Sequence, residues 1–444
     1  INIYIKYMKN DKETNQIIRT VKELFMKNIK NSKELSLLID KYLIPQELEK
    51  KSNAEVSTPF ILRQEMLDKI PIDFWKSVKK VFEPCSGKGG FLIDIIDRFM
   101  IGLKEVIPDE KERYKTIVEE CLYFNDINPT NIFICKLLVD PYNEYKLNYN
   151  EGDTLTLNIQ EKWKISGFEA VIGNPPYNLT ENSRHILWHL FVKKSIQYWL
   201  INDGLLLYVH PALWRKPVSN RSKLYGLYNL MTKNNTIVYL EIHGTKDGMK
   251  IFKCGTRYDF YLLKKKINNN FATTIIDENG NKYITNIGNM NWLPNSNYKL
   301  IENITNDANK VNIIYSRSAY GNDKKWMSRK QISKYIYPCV LSTPKKEIRY
   351  MYSEHKNNGH FGINKIIFGE TSVYNSFYDN DGQYGLTDGA IAIQEDDKII
   401  SDNILCAIKS DKFHKLLNAC SWSNYRIEWN MIKDLNKDFW KEFI

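Results

Sequence analysis

The Asn174-Pro175-Pro176-Tyr177 tetrad is the pattern in this chain best suited to chemistry. The apolar residues 170–172 precede it and predict a strand that ends at the tetrad. Adjacent prolines have no backbone donors and restrict φ, so nearby carbonyl groups are presented without competing amides. Asn174 Oδ1 and the Pro175 carbonyl could accept both hydrogens of a planar NH2 group while Tyr177 stacks on it. Such a clamp would direct the nitrogen lone pair at an electrophile. The alternative interpretation is a strand followed by a proline turn without a ligand.

A glycine-rich turn lies between a predicted strand at residues 81–82 and a predicted helix at residues 91–101. Residues 83–91 read Glu-Pro-Cys-Ser-Gly-Lys-Gly-Gly-Phe, and the glycines allow a tight turn and close approach to a ligand. The spacing matches neither the phosphate loop nor the dinucleotide fingerprint. A tight connection without a ligand is the alternative interpretation.

Two acidic residues follow other predicted strands. Asp126 comes after residues 122–124, and Asp153 lies in the turn after a further expected strand. Acids at the carboxyl edge of a parallel sheet accept hydrogen bonds from ribose hydroxyls, so these loops could line an adenosine-shaped pocket. Asp126 could instead cap a helix, and Asp153 could be an ordinary turn residue.

Taken together, the motifs resemble those of S-adenosylmethionine-dependent amino-methyltransferases, and more narrowly the DNA adenine-N6 methyltransferases of the gamma motif order. The resemblance covers residues 55–265 or so. It implies that the tetrad is catalytic and that Phe252 stacks on a flipped base. The cofactor-binding residues that it implies are Thr58, Pro59, Glu83, Cys85, Gly87, Gly89, Phe91, Asp126, Ile127, Asp153 and Asn174.

The resemblance implies methyl transfer from S-adenosylmethionine to the N6 amino group of an adenine flipped out of duplex DNA, without a metal. The glycine-rich turn departs from the family, with Cys-Ser where Ala-Cys is commoner and Lys88 where Thr is usual. Methyltransferases of RNA adenine or of a protein glutamine share the tetrad and remain alternatives. A non-catalytic DNA-binding subunit is the alternative from another class.

Positive charge is concentrated in two stretches of a chain whose net charge is +11. Residues 211–270 carry 12 Lys and Arg against 3 Asp and Glu, and residues 324–349 hold a second basic cluster. Basic patches indicate a polyanion partner, although a solvated lysine-rich face is the alternative. The predicted contacts to double-stranded DNA are Arg215, Lys216, Arg221, Lys223, Lys253, Arg257, Lys324, Lys325, Arg329 and Lys330.

Short apolar runs alternate with longer amphipathic ones from residue 80 onwards, which predicts an α/β fold with a Rossmann-like doubly wound sheet. Further strands are expected at 205–209, 237–242 and 258–263, and further helices at 131–140 and 186–200. We predict an N-terminal helical segment at 1–55, with helices at 17–25 and 35–43. A catalytic domain at 56–268 and a C-terminal α+β target-recognition domain at 269–444 follow.

Composition limits the class of protein. With 43% hydrophobic and 26% charged residues the chain is globular, and its apolar runs are too short to cross a bilayer. Seven widely spaced cysteines without a Cys-x-x-Cys pair argue against a zinc ribbon or a disulfide framework. His185 and His189 lack the glutamate of a metalloprotease motif, which favours packing or solvent roles. We expect a cytoplasmic monomer, with a separately encoded restriction endonuclease as a candidate partner.

Overall fold

The computed structural model describes residues 31–43, 56–179, 185–422 and 427–444, which form two compact units. The first unit continues to Ile276 and includes Lys282–Asn291. The second comprises Asp277–Asn281 and Trp292–Ile444. The first unit thus extends beyond the predicted boundary at 268/269, because two further strands at 273–285 continue its sheet.

A nine-stranded sheet organises the described residues of the first unit, in the order β3-β2-β1-β4-β5-β7-β6-β8-β9. Strands β1 to β5 are parallel to one another, while β7 is antiparallel to both β5 and β6. This mixed, mostly parallel sheet confirms the predicted α/β class. The strands are β1 Val81–Glu83, β2 Leu122–Asp126, β3 Asn148–Glu151, β4 Phe168–Gly173, β5 Leu200–Pro211, β6 Thr236–His243, β7 Tyr258–Lys264, β8 Thr273–Ile276 and β9 Lys282–Thr285.

Helices connect these strands and pack on the sheet. Their bounds are α1 Ser32–Tyr42, α2 Phe60–Leu67, α3 Gly90–Gly102, α4 Glu110–Thr116, α5 Pro129–Val139, α6 Ile159–Trp163, α7 Trp188–Lys194, α8 Leu227–Thr232 and α9 Thr245–Phe252. The predicted helix at 35–43 is confirmed as α1, and the one predicted at 17–25 lies outside the described residues. The helix predicted at 186–200 is observed as α7 followed directly by a π-helical turn at Ser195–Trp199, after which β5 begins at Leu200.

The main hydrophobic core lies between the sheet and helices α2, α3 and α5. Side chains of β1, β2 and β4, among them Val81, Phe124 and Ile172, are completely buried there. Because β1, β2 and β4 are mutually parallel neighbours, their carboxyl ends meet at one edge of the sheet. That edge carries the glycine-rich turn, Asp126 and the tetrad.

The second unit contains two four-stranded sheets, in the orders β10-β17-β14-β15 and β11-β13-β12-β16. Its strands are β10 Asn312–Ile314, β11 Met327–Ser328, β12 Tyr337–Ser342, β13 Arg349–Ser353, β14 Lys365–Gly369, β15 Phe377–Asp379, β16 Gly385–Leu386 and β17 Ala390–Gln394. Its helices are α10 Tyr298–Thr305, α11 Lys398–Lys409, α12 Asp411–Ala419 and α13 Trp429–Lys433. Over the described parts of both units, no helix has the length and hydropathy needed to cross a membrane.

Candidate functional site

A cavity of about 310 Å³ opens at the carboxyl edge of β1, β2 and β4 in the first unit. It brings together most of the residues predicted from sequence. Those that line it are Thr58, Glu83, Cys85, Gly87, Phe91, Asp126, Ile127, Asp153, Asn174, Pro175, Pro176 and Tyr177. Pro59, Gly89 and Phe252 are not among the lining residues.

The glycines of the turn are required by its geometry. Gly89 has a φ of 83°, in the left-handed region, and immediately precedes α3. At Gly90 a Cβ atom would lie 2.7 Å from the Arg63 guanidinium carbon, closer than a real contact allows. The turn therefore passes tightly over Arg63, which also lines the cavity.

Asp126 holds the glycine-rich turn in place. Its Oδ2 accepts a hydrogen bond of 2.8 Å from the Gly87 backbone N–H, and its Oδ1 accepts one of 2.8 Å from Asn128 N–H. Asn131 Nδ2 donates to Oδ1 at 3.2 Å, and Lys88 Nζ donates to Asn131 Oδ1 at 2.6 Å. The N-cap of α5 is Asn128, so the alternative role of Asp126 as the helix N-cap is excluded.

Two other side chains that line the cavity, those of Asp153 and Ile127, are exposed. Asp153 caps the short turn at Thr154–Thr156 by accepting a 2.9 Å hydrogen bond from Leu155 N–H. This is the ordinary turn role considered above, but the residue also lines the cavity. Ile127 is 60% exposed beside Asp126, so it offers an apolar surface to a planar ligand.

Glu83 is a buried carboxyl group without a full set of partners. It is 2% exposed, and its Oε2 has no hydrogen-bond partner among the described residues. Burial raises the pKa of Glu83 well above its usual value, and the nearby Arg63 opposes this shift. A buried acceptor of this kind suits a cationic N–H donor, which would favour the ionised carboxylate.

The tetrad presents unpaired polar atoms at the end of β4. Asn174 Nδ2 donates to the Val56 carbonyl at 3.3 Å. The Asn174 side chain and the Tyr177 hydroxyl are neighbours. Neither Asn174 Oδ1 nor Tyr177 OH has a hydrogen-bond partner of normal geometry within the described residues, although both atoms are buried. Burial also raises the pKa of Tyr177 well above its usual value, which further favours the neutral phenol.

Phe252 does not occupy the position expected of a base-stacking residue. It is 9% exposed and belongs to the main hydrophobic core. Its ring centroid lies 6.2 Å from that of Tyr177 at an interplanar angle of 78°, and 4.9 Å from that of Tyr258. In this structure Phe252 packs edge-on against the Tyr177 ring, and little of its surface is exposed.

One predicted DNA contact is corrected by the structure. Arg215 is completely buried, and its Nε lies 2.9 Å from Asp259 Oδ2, which also accepts a 2.9 Å hydrogen bond from Trp214 Nε1. A guanidinium enclosed in this way cannot reach a phosphate. The predicted contacts that are exposed are Arg221, Lys223, Lys253, Lys325, Arg329 and Lys330, while Lys216, Arg257 and Lys324 are half-buried.

A buried ionic cluster beside the cavity was not predicted from sequence. Arg63 on α2 pairs with Asp94 on α3 at 2.6 Å and with Asp40 on α1 at 2.7 Å. Ser36 Oγ accepts from Arg63 at 2.6 Å and donates to Asp94 at 2.7 Å. The available signal was a charged residue flanked by apolar ones, Arg63 after the apolar residues 60–62 and Asp94 within the apolar residues 91–96, since such a charge needs a buried partner.

Residues 40–195 match the model of the N-6 DNA methylase family. No curated protein matches the chain. Among similar solved structures, the methyltransferase subunit of a type I restriction-modification system from Streptococcus thermophilus is 15% identical, with 58% of this chain and 55% of that chain covered and a TM-score of 0.39. The type I M protein of EcoKI is 17% identical, with coverages of 48% and 47% and a TM-score of 0.37.

A third similar structure is the type IIL restriction-modification enzyme MmeI in complex with DNA. It is 12% identical, covers 95% of this chain and 67% of that chain, and has a TM-score of 0.47. The chain spans about half the length of the two type I subunits. The match to the N-6 DNA methylase model is confined to the first unit and includes the glycine-rich turn, Asp126 and the tetrad.

Proposed function

We propose that the protein transfers a methyl group from S-adenosylmethionine to the N6 amino group of an adenine flipped out of duplex DNA. The observation that carries this proposal is the tetrad at the cavity, where the buried Asn174 Oδ1 and Tyr177 OH have no hydrogen bond of normal geometry among the described residues. The match of residues 40–195 to the N-6 DNA methylase model supports the same reaction class.

The residues of the cavity fit the cofactor. Glu83 Oε2 is a buried acceptor without a partner in the described chain, which suits the cationic amino group of the methionine moiety. The Asp126 carboxylate would accept hydrogen bonds from the ribose hydroxyls, Asp153 would contact the adenine ring, and Ile127 would provide an apolar surface for that ring. When bound, the cofactor supplies an electrophilic methyl group on a sulfonium sulfur.

The tetrad would hold and orient the target amine. Asn174 Oδ1 and the Pro175 carbonyl accept its two N–H bonds, and Tyr177 contacts the base through its ring. With both hydrogens engaged, the nitrogen lone pair faces the methyl carbon. Transfer would form a nitrogen–methyl bond as the sulfur–methyl bond breaks, with the thioether product keeping the electron pair, and one amino proton would pass to solvent. No described group of three His, Cys, Asp or Glu side chains could hold a metal ion.

Duplex DNA as the substrate rests on the second unit and on surface charge. Flipping a base out of the duplex costs a few kcal/mol of free energy, and stacking of that base on an aromatic side chain offsets about 1–3 kcal/mol of this cost. Exposed basic residues of the second unit, such as Lys325, Arg329 and Lys330, would contact phosphates and hold the protein on the duplex. A separately encoded restriction endonuclease remains the candidate partner.

The test is methyl incorporation from labelled S-adenosylmethionine into three substrates offered in parallel: duplex DNA, RNA, and a protein with a modifiable glutamine. We expect label in DNA, recovered as N6-methyladenine after digestion to nucleosides. The Asn174→Ala variant is the matched control, because it alters the clamp alone. Label in RNA or protein only would overturn the choice of substrate, and absence of label from all three would overturn the enzymatic assignment.

A further inference from the structure

Helix α1 is joined to the wall of the cavity by the buried ionic cluster around Arg63. Arg63 and Asp94 are each 3% exposed in their side chains, whereas Asp40 retains 24%. The second Asp40 oxygen accepts a hydrogen bond from the Phe60 backbone N–H at the start of α2. Asp40 therefore connects α1 to α2 through two contacts, and Ser36 connects α1 to α3.

Apolar packing fixes the same helix from another side. Leu35, Ile39 and Leu43 are buried against Ile93 of α3 and against side chains of α5. Ile39, Asp40 and Leu43 also line the cavity, next to Thr58 and Arg63. The N-terminal helix, which the sequence places outside the catalytic domain, thus contributes a wall to the site.

The charge of the cavity favours a cation. Its lining contains four carboxyl side chains, those of Asp40, Glu83, Asp126 and Asp153, against the cationic Arg63 and Lys88. Arg63 forms ion pairs with both Asp94 and Asp40, so these three side chains together carry one net negative charge when both acids are ionised. Glu83 Oε2 is buried and has no hydrogen-bond partner among the described residues. This is a second, independent indication that the cavity binds a ligand with a hydrogen-bond donor.

We propose that α1 is part of the cofactor site and that Asp40 makes the cavity select the cationic methyl donor over its neutral product. This inference rests on the proposed function. S-adenosylmethionine carries a sulfonium, an ammonium and a carboxylate, and is therefore a net cation. S-adenosylhomocysteine has lost the sulfonium charge and is a neutral zwitterion. Because both Asp40 oxygens are held by the protein, Asp40 acts through its charge and is a positioning residue.

Calorimetric titration of the full chain with each cofactor form tests the proposal. We expect Asp40→Asn to weaken S-adenosylmethionine binding at least 5-fold while S-adenosylhomocysteine binding changes less than 2-fold. Asp40→Glu keeps the charge and should retain the preference. Ser36→Ala is the matched control, because it removes a hydroxyl from the same cluster without changing charge, and should affect both ligands alike.

Equal weakening of both ligands by Asp40→Asn, or no effect on either, would overturn the selectivity. If that variant does not fold, the proposal is tested by measuring amide hydrogen exchange of residues 32–42 in the wild-type chain with each ligand bound. Greater protection with S-adenosylmethionine than with S-adenosylhomocysteine supports the proposal, and equal protection refutes it. A wild-type chain that binds neither ligand would instead refute the proposed function, which keeps the two failures distinct.

Discussion

Replacing Asn174 by Ala should separate catalysis from folding and from cofactor binding. Asn174 Nδ2 donates to the Val56 carbonyl at 3.3 Å, and such a bond contributes about 0.5–1.5 kcal/mol to stability. Its Oδ1 lies near the Tyr177 hydroxyl without a hydrogen bond of normal geometry among the described residues, so removing this atom should cost little further stability. In the transition state the same oxygen would accept from an amine that gains positive charge. Loss of one such preorganised contact costs about 2.7–4 kcal/mol, or roughly 10²–10³ in rate.

The assay is single-turnover methylation of duplex DNA, with cofactor affinity measured by calorimetry on the same protein. We expect unchanged affinity and a methylation rate lower by at least two orders of magnitude, as estimated above. Asn174→Asp keeps an acceptor and should lose less. The neighbouring Asn178 does not line the cavity, so Asn178→Ala should methylate at the wild-type rate. A rate for Asn174→Ala close to that of wild type would refute the clamp.

Four further outcomes are expected. Asp126→Ala should weaken S-adenosylmethionine binding in calorimetry, because it loses the carboxylate that holds the glycine-rich turn. Arg215→Met leaves its buried carboxylate partner uncompensated and should lower the free energy of unfolding by about 3–5 kcal/mol in denaturant titrations. Burial lowers the pKa of His210 to about 3, so the unfolded state binds a proton below its own pKa of about 6.5 while the folded state does not. His210 alone should therefore lower stability by about 1.4 kcal/mol per pH unit between about pH 6.5 and about pH 3, and His210→Gln should remove this contribution. Lys325→Ala and Arg329→Ala should each reduce the slope of log affinity for DNA against log salt by about 0.9.

The strands of the sheet could be predicted because each is a short apolar run between turn residues. The predicted runs at 81–82, 122–124 and 170–172 all lie within observed strands. The chain alone did not indicate that β7 inserts between β5 and β6 in the antiparallel sense, because alternation of strands and helices does not encode the order of edge additions. For the same reason the sequence did not show that β8 and β9 continue this sheet, so the predicted domain boundary at 268/269 was placed too early.

Site residues were predictable where a motif is continuous and not where the partner is distant in sequence. The tetrad and the glycine-rich turn each occupy one stretch, and both line the cavity. The Arg63–Asp94 pair and the Arg215–Asp259 pair join residues on separate elements. A basic residue within a positively charged stretch looks like a surface residue until its buried acid is known. For Arg215 this produced an incorrect expectation.

The position of β7 also has a consequence for synthesis of the protein on the ribosome. Strand β5 ends at Pro211, but β7, which covers its free edge, begins only at Tyr258. About 50 further residues must be translated first, which takes roughly 2–10 s at the usual 5–20 residues per second. During that interval the nascent chain carries a long apolar strand with an unpaired edge, the kind of surface through which chains aggregate. We therefore expect the yield of native protein to depend on elongation rate and chaperone supply more than on the stability of the finished fold.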